Sequence, residues 1–205
     1  MLLKLFGENP NPRILQTIVD TLKNGGVIIY PTDSIYAFGC DMNQQKAIER
    51  IAKIKNINPE KAQFSLICHD LSHISEFTKQ LDNSVFKLMK KNLPGPFTFI
   101  LEANSNVPRL LKMNKKKTIG IRVPANNIAR EIVRELGNPI ISTTVIDEED
   151  MVEYTTDPEL IHEKYEDRVD IVIDGGYGNY IATAVVDCTS DEITIVREGL
   201  KELEW

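Results

Sequence analysis

Cysteine is scarce: Cys40, Cys68 and Cys188 are the three in 205 residues. They are odd in number, far apart and without a C-x-x-C pair, which excludes a disulfide framework and points to a reducing compartment. Histidine is equally rare, at three residues. His69 and His73 stand four apart but follow an apolar run, and no third ligand keeps a zinc-site spacing, so no protein-bound metal is expected. There is no G-x-x-x-x-G-K-[ST], no G-x-G-x-x-G and no G-x-S-x-G, which removes the P-loop, dinucleotide-binding and hydrolase-elbow readings. No apolar run approaches bilayer length, and Met1 to Gly7 holds neither an extended apolar segment nor a small-residue cleavage site. No membrane partner is expected, and the cytoplasm is the expected location.

An excess of positive charge is also missing. The net charge is −6, which argues against a dedicated nucleic-acid binder. Its distribution is uneven. Lys79 to Arg122 carries ten basic residues against Asp82 and Glu102, a local +8, whereas Asp147 to Asp167 carries ten acids against Lys164, a local −9. Lys112, Lys115, Lys116 and Lys117 form the densest basic run. No aromatic residue lies among them to stack a base, and a solvated loop accounts for them better than RNA does.

What the chain does have is an ordinary globular composition, 42% hydrophobic and 26% charged, and enough length for one sizeable domain over residues 1–205. Val27 to Tyr30 has the composition of a buried strand, which Pro31 ends, so Pro31 to Cys40 is expected to be a loop at a strand terminus. Ile14, Ile18 and Leu22 recur at helical spacing before it. Ala47, Ile48, Ile51 and Ala52 do so after it, and Asn83 to Asn92 and Asn126 to Leu136 give further helices. Phe64 to Cys68, Phe97 to Leu101, Thr118 to Val123, Ile140 to Val145, Val169 to Ile173, Ala184 to Asp187 and Ile193 to Val196 are expected strands. Helices alternate with strands early and strands crowd together late, which predicts a single α/β domain with a twisted mixed sheet, flanking helices and one exposed face.

In such sheets ligands gather at strand ends. Thr32, Ser34, Tyr36, Lys53, Lys55, His69, Thr118, Arg122, Ser142, Thr144 and Arg197 fall mostly at strand or helix ends in separate segments. Hydroxyls that orient oxygen atoms, together with fixed cations that neutralise charge, suit a ligand bearing phosphates and a carboxylate.

Pro31-Thr32-Asp33-Ser34-Ile35-Tyr36-Ala37-Phe38-Gly39, Pro94-Gly95-Pro96-Phe97-Thr98, Ile121-Arg122-Val123-Pro124 and Val196-Arg197-Glu198-Gly199 resemble motifs of the YrdC family, in that family's order and across nearly the whole chain. The resemblance implies a twisted α/β fold with a concave surface. It also implies L-threonylcarbamoyladenylate synthesis: L-threonine and bicarbonate form a carbamate that displaces pyrophosphate from ATP, supplying an intermediate for threonylcarbamoyl modification of tRNA adenosine. By position, Thr32, His69, Arg122 and Ser142 resemble the threonine-side contacts. Lys55, Thr118, Thr144 and Arg197 resemble the nucleotide-side contacts, and Lys53 matches the first lysine of the family's Lys-x-Arg. Lys53 and Arg122 are the residues expected to serve catalysis, by cationic stabilisation, with Mg²⁺ carried on the ATP phosphates. Double-stranded RNA or tRNA is a further implied partner, with Lys115, Lys116 and Lys117 as its expected contacts.

The chain departs from the pattern at four places, one of them Thr183-Ala184-Val185-Val186-Asp187 for Ser-Thr-Val-Val-Asp, which keeps one hydroxyl, at Thr183. Lys53-Ile54-Lys55 stands for Lys-x-Arg, and lysine lacks the planar bidentate grip of arginine. Ala62-Gln63-Phe64 stands for Asn-Pro-Leu, and Thr144-Val145-Ile146 for Ser-Ala-Asn. These departures resemble the YciO-like branch of the family. A synthase, an RNA-binding relative without the reaction, and a nucleotide-binding sensor all stay open on the sequence.

Overall fold

The computed structural model describes residues 1–59, 62–112, 117–146 and 151–205. In chain order the elements are β1 (Leu2–Lys4), α1 (Pro12–Lys23), β2 (Ile28–Tyr30), β3 (Ala37–Gly39), α2 (Gln45–Ile54), β4 (Ser65–Ile67), α3 (Leu71–Ser75) and α4 (Asn83–Asn92). There follow β5 (Phe97–Glu102), a single 3₁₀ turn (Arg109–Leu111), β6 (Thr118–Arg122), α5 (Asn127–Leu136), β7 (Ile140–Thr144), α6 (Glu153–Thr156), α7 (Pro158–Tyr165), β8 (Ile171–Asp174), β9 (Ala184–Asp187) and β10 (Thr194–Arg197). Local chemistry sets several ends. Asn11 caps α1 by accepting from Arg13 N at 3.0 Å, with Pro12 in the first turn where its missing N–H costs nothing. Asn126 caps α5 by accepting from Ala129 N at 3.1 Å.

Among the described residues ten strands make one mixed sheet in the order β1-β8-β2-β3-β7-β4-β6-β5-β9-β10. The expected α/β domain with a mixed sheet and flanking helices is therefore what forms, with one correction. Pro31 to Cys40 is not all loop: Ala37–Gly39 is a strand, antiparallel to β2 on one side and to β7 on the other. Only residues 31–36 turn. Thr32 Oγ1 accepts from Ser34 N at 3.0 Å and donates to Ile35 O at 2.9 Å, and these bonds fold the chain straight back.

Side chains alternate across the sheet, and the two faces differ. On one face Ile29, Phe38, Leu66, Phe99, Ile121, Ile141 and Val186 pack with Ala47, Ile48 and Ile51 of α2, Leu88 and Met89 of α4, and Ile161 of α7 in a single core. On the other, Ile28, Tyr30, Ala37, Ile67 and Ile140 pack under α1 and α5, with Ile18, Leu22, Ile132 and Val133 above them. That second cover includes nothing from β5, β6, β9 or β10. Over those strands no helix among the described residues joins the second cover, and it is there that the polar side chains lie.

Candidate functional site

The floor of the open half is made by small residues. Ser142 of β7 pairs with Ser65 of β4, and Ser65 pairs with Gly120 of β6. The β3–β7 register, continued by the Ile141 N to Cys40 O bond of 2.9 Å, sets Gly39 opposite Ser142. A row running glycine, serine, serine, glycine across four strands leaves a trough where larger residues would have filled the sheet surface. At Gly120 an added Cβ would stand 2.9 Å from Ser65 Oγ and 3.1 Å from Thr98 Cγ2, so the bare backbone is part of the trough's shape.

A cavity of about 190 Å³ opens over this floor, walled by Gln63, Thr98, Arg122, Ser142, Thr144, Thr183 and Arg197 among others. Pockets that enclose drug-sized ligands run about 300–1,000 Å³. This one therefore encloses a small molecule, or one end of a larger one that continues along the open trough.

Arg122 ends β6 with a side chain 5% exposed. Its Nη2 donates to Asp33 Oδ1 at 2.8 Å, to Ser34 Oγ at 3.1 Å and to Thr32 Oγ1 at 3.4 Å. The other Asp33 oxygen accepts from Ala125 N at 2.7 Å. The 31–36 turn thus acts as a three-pronged holder for one guanidinium, and the buried charge is paired. Arg122 Nε is buried and has no hydrogen-bond partner among the described residues. Arg197 is held from the opposite wall. Its Nε and Nη2 donate to Thr183 O at 3.2 and 2.9 Å, and the Thr183 hydroxyl meets that of Thr98 at 2.9 Å. Burial first, and the charge of Arg122 second, hold the Arg197 guanidinium below its ordinary value. Two cations therefore face one small, hydroxyl-lined space. Its described lining contains no histidine, cysteine or carboxylate, so it can bind and orient oxyanions but shows no nucleophile–base pair.

The expected site residues divide. Arg122, Ser142, Thr144 and Arg197 line the cavity, and Thr32 joins them through Arg122. Thr118 shares the face of Gly120 and Arg122 by alternation, is buried, and lies outside the lining. His69 follows β4, where Cys68 N donates to Arg122 O at 2.9 Å. Its ring stacks on His73 at 4.3 Å, Nε2 lies 3.4 Å from Asp70, and buried Nδ1 lacks a partner among the described residues, again outside the lining. Lys53 is exposed near the end of α2. Lys55 donates from Nζ to Thr144 O at 2.9 Å and Ile146 O at 2.8 Å, so it clamps the end of β7. Lys115 and Lys116 lie outside the described residues; Lys117 is exposed and enters β6 with φ +55°. Thr98, Ser65 and Gly120 were not singled out as site residues. The signal was a lone hydroxyl between Phe97 and Phe99 and a lone glycine between Ile119 and Ile121, small residues at alternate positions of apolar strands. Among the described residues no helix is long and apolar enough to cross a membrane, and no group of three His, Cys, Asp or Glu side chains is placed to hold a metal.

A family model described as "Sua5_yciO_yrdC: Telomere recombination" matches residues 20–199. The uncharacterized protein YciO of Escherichia coli K12 is 43% identical over 198 residues, 96% of this chain and 94% of the relative. The crystal structure of E. coli YciO superposes with a TM-score of 0.91 at 41% identity, covering 100% of this chain and 98% of that one. A threonylcarbamoyl-AMP synthase from Nitrosococcus oceani is 33% identical over 135 residues, 66% of this chain and 71% of the relative. P. abyssi Sua5, in its complex with L-threonine, shares the fold with a TM-score of 0.87 at 20% identity, over 97% of this chain and 57% of that one.

Proposed function

The chain belongs to the Sua5/YciO/YrdC family, and on that premise we propose that it carries out the threonylcarbamoyl-AMP synthase reaction that supplies tRNA threonylcarbamoylation. The L-threonine amine and bicarbonate give a carbamate and water. A carbamate oxygen forms a bond to the α-phosphorus of ATP, the bond to the β-phosphate breaks, and pyrophosphate leaves. The observation that carries this reading is Arg122, pinned by Thr32, Asp33 and Ser34, with a buried Nε that has no partner among the described residues. A fixed guanidinium with a donor to spare matches a carboxylate better than a mobile lysine would.

In this reading Arg122, Ser142 and Thr32 hold the amino acid, the group that the P. abyssi relative binds. Arg197 and Thr144 face the nucleotide, and the ATP phosphates carry Mg²⁺ with them. Catalysis is positioning plus charge neutralisation, since the lining supplies no covalent nucleophile with a base. The test is pyrophosphate release from ATP with and without L-threonine and bicarbonate, run beside an active synthase. Threonine-dependent release is expected; none, with the control active, refutes the reading.

A further inference from the structure

One buried polar group near the cavity has no use in the scheme above. Tyr30 ends β2, and its ring crosses the neighbouring strand over Gly39: a Cβ there would stand 2.7 Å from Tyr30 Cε1. The missing side chain lets the phenol reach past β3 toward β7, where Ser142 stands opposite Gly39. The hydroxyl therefore arrives behind the Ser142 wall of the cavity, where the charges of Arg122 and Asp33 act on it. It is fully buried and has no hydrogen-bond partner among the described residues. Ser142 lies close enough to pull the phenol's pKa back down against that burial, yet the two hydroxyls do not meet hydrogen-bond geometry. Burial pushes the phenol up to about 12, so at neutral pH it is an O–H donor.

A buried donor without an acceptor is a standing cost to the fold, one that phenylalanine would remove at almost the same volume. Close by, Arg122 Nε is a second buried donor in the same condition, whereas the Ser142 hydroxyl opens onto the cavity. A ligand oxyanion resolves this arrangement. When the Ser142 side chain shifts to give its proton to the ligand, its oxygen comes within reach of the phenol and accepts the bond that Tyr30 lacks, and the two bonds polarise each other.

We propose that Tyr30 is a positioning residue for the ligand carboxylate, acting through Ser142, whose hydroxyl it holds as a donor once the carboxylate is bound. The inference rests on the amino-acid side of the proposed function and deepens it: carboxylate recognition extends one residue beyond the cavity wall.

The test uses the full chain, with L-threonine alone as ligand, followed by calorimetry, and with melting curves of the ligand-free protein. Tyr30→Phe is expected to melt at or above the wild-type temperature, by up to about 2–4 °C, because an unsatisfied group is lost. The same variant is expected to bind L-threonine about three- to tenfold more weakly, the value of one hydrogen bond. In a Ser142→Ala background Tyr30→Phe should weaken binding no further, because the path runs through Ser142. A lower melting temperature for ligand-free Tyr30→Phe, an unchanged threonine affinity, or additivity with Ser142→Ala would each overturn the proposal, as would a wild-type protein that does not bind L-threonine. Because ATP is absent, a protein that binds threonine but releases no pyrophosphate refutes the proposed reaction and leaves this inference standing.

Discussion

Replacing Asp33 with alanine tests the part of the site on which the rest depends. The Asp33 and Arg122 side chains are 7% and 5% exposed, and their charged atoms stand 2.8 Å apart. Removing one partner of such a buried pair strands the other charge and costs about 3–5 kcal/mol. The Ala125 N–H also loses its acceptor, which had stood at 2.7 Å. Against a total stability of about 5–15 kcal/mol this is a large fraction. For a chain of this size it lowers the melting temperature by about 6–20 °C. Urea unfolding at pH 7.5 measures it as a lower midpoint with an unchanged slope. Asp33→Asn, which keeps the shape and one acceptor, should lie between the variant and the wild type. Salt distinguishes this pair from a surface one, because a buried interaction is screened little. The reasoning is refuted if Asp33→Ala unfolds within about 1 kcal/mol of wild type, the worth of an exposed pair, or if added salt abolishes the difference.

Two further perturbations reach the edges of the site. His73 is buried and packed against His69 and Phe77, and burial, followed by the charge of His69, lowers its affinity for a proton below the ordinary 6.5. The unfolded chain then binds the proton more readily than the folded one, so the stability from neutral His73 is whole above pH 6.5 and is lost as pH falls through the depressed folded value; urea midpoints across that window should decline on acidification, and less steeply in His73→Phe. Lys55→Met removes two charge-assisted bonds to the Thr144 and Ile146 carbonyls, a loss of about 1–2 kcal/mol at this half-buried position. Exchange of the Val145 amide, which donates to Tyr36 O at 3.0 Å, should quicken by about tenfold for each 1.4 kcal/mol, and an unchanged rate would mean that Lys55 does not hold the strand end.

Much of this was legible in the chain, and the gaps have physical causes. Helices such as α4 and α5 show in the sequence because their apolar residues repeat at one period and their ends carry breakers or caps. Strand β3 did not show. Its three residues follow a proline and a cluster of turn formers, and nothing local distinguishes Ala37-Phe38-Gly39 from the rest of a loop. It becomes a strand because β2 and β7 offer it backbone partners on both sides, a fact of tertiary pairing. Likewise Arg122, Ser142 and Arg197 stand out as polar groups at strand ends, whereas Ser65 and Gly120 do not. A small residue inside an apolar strand reads as ordinary packing until the register shows that four of them line up across four strands. Lys55 illustrates the opposite case, since its charge is plain in the sequence but the direction in which it points is not.

That last residue lies outside the cavity lining, yet it bears on how the two ends of the proposed ligand would be held. On the amino-acid side the 31–36 turn fixes Arg122 through three oxygens, and Tyr30 stands behind Ser142. On the side proposed for the nucleotide, the resemblance sets Lys55 in the place of the family's arginine, and its Nζ is committed to the carbonyls that end β7. An arginine has five donors in a rigid plane and could hold a carbonyl while presenting a second edge to phosphate; an ammonium has three donors and no such second edge once it clamps carbonyls. Any grip on a triphosphate must then come chiefly from Arg197, whose Nε and Nη2 already bond Thr183, and from the hydroxyls of Thr144 and its neighbours. On the proposed function, the wiring predicts that L-threonine binds more tightly than ATP and that added salt weakens ATP binding more than threonine binding, which calorimetry with each ligand at two ionic strengths measures.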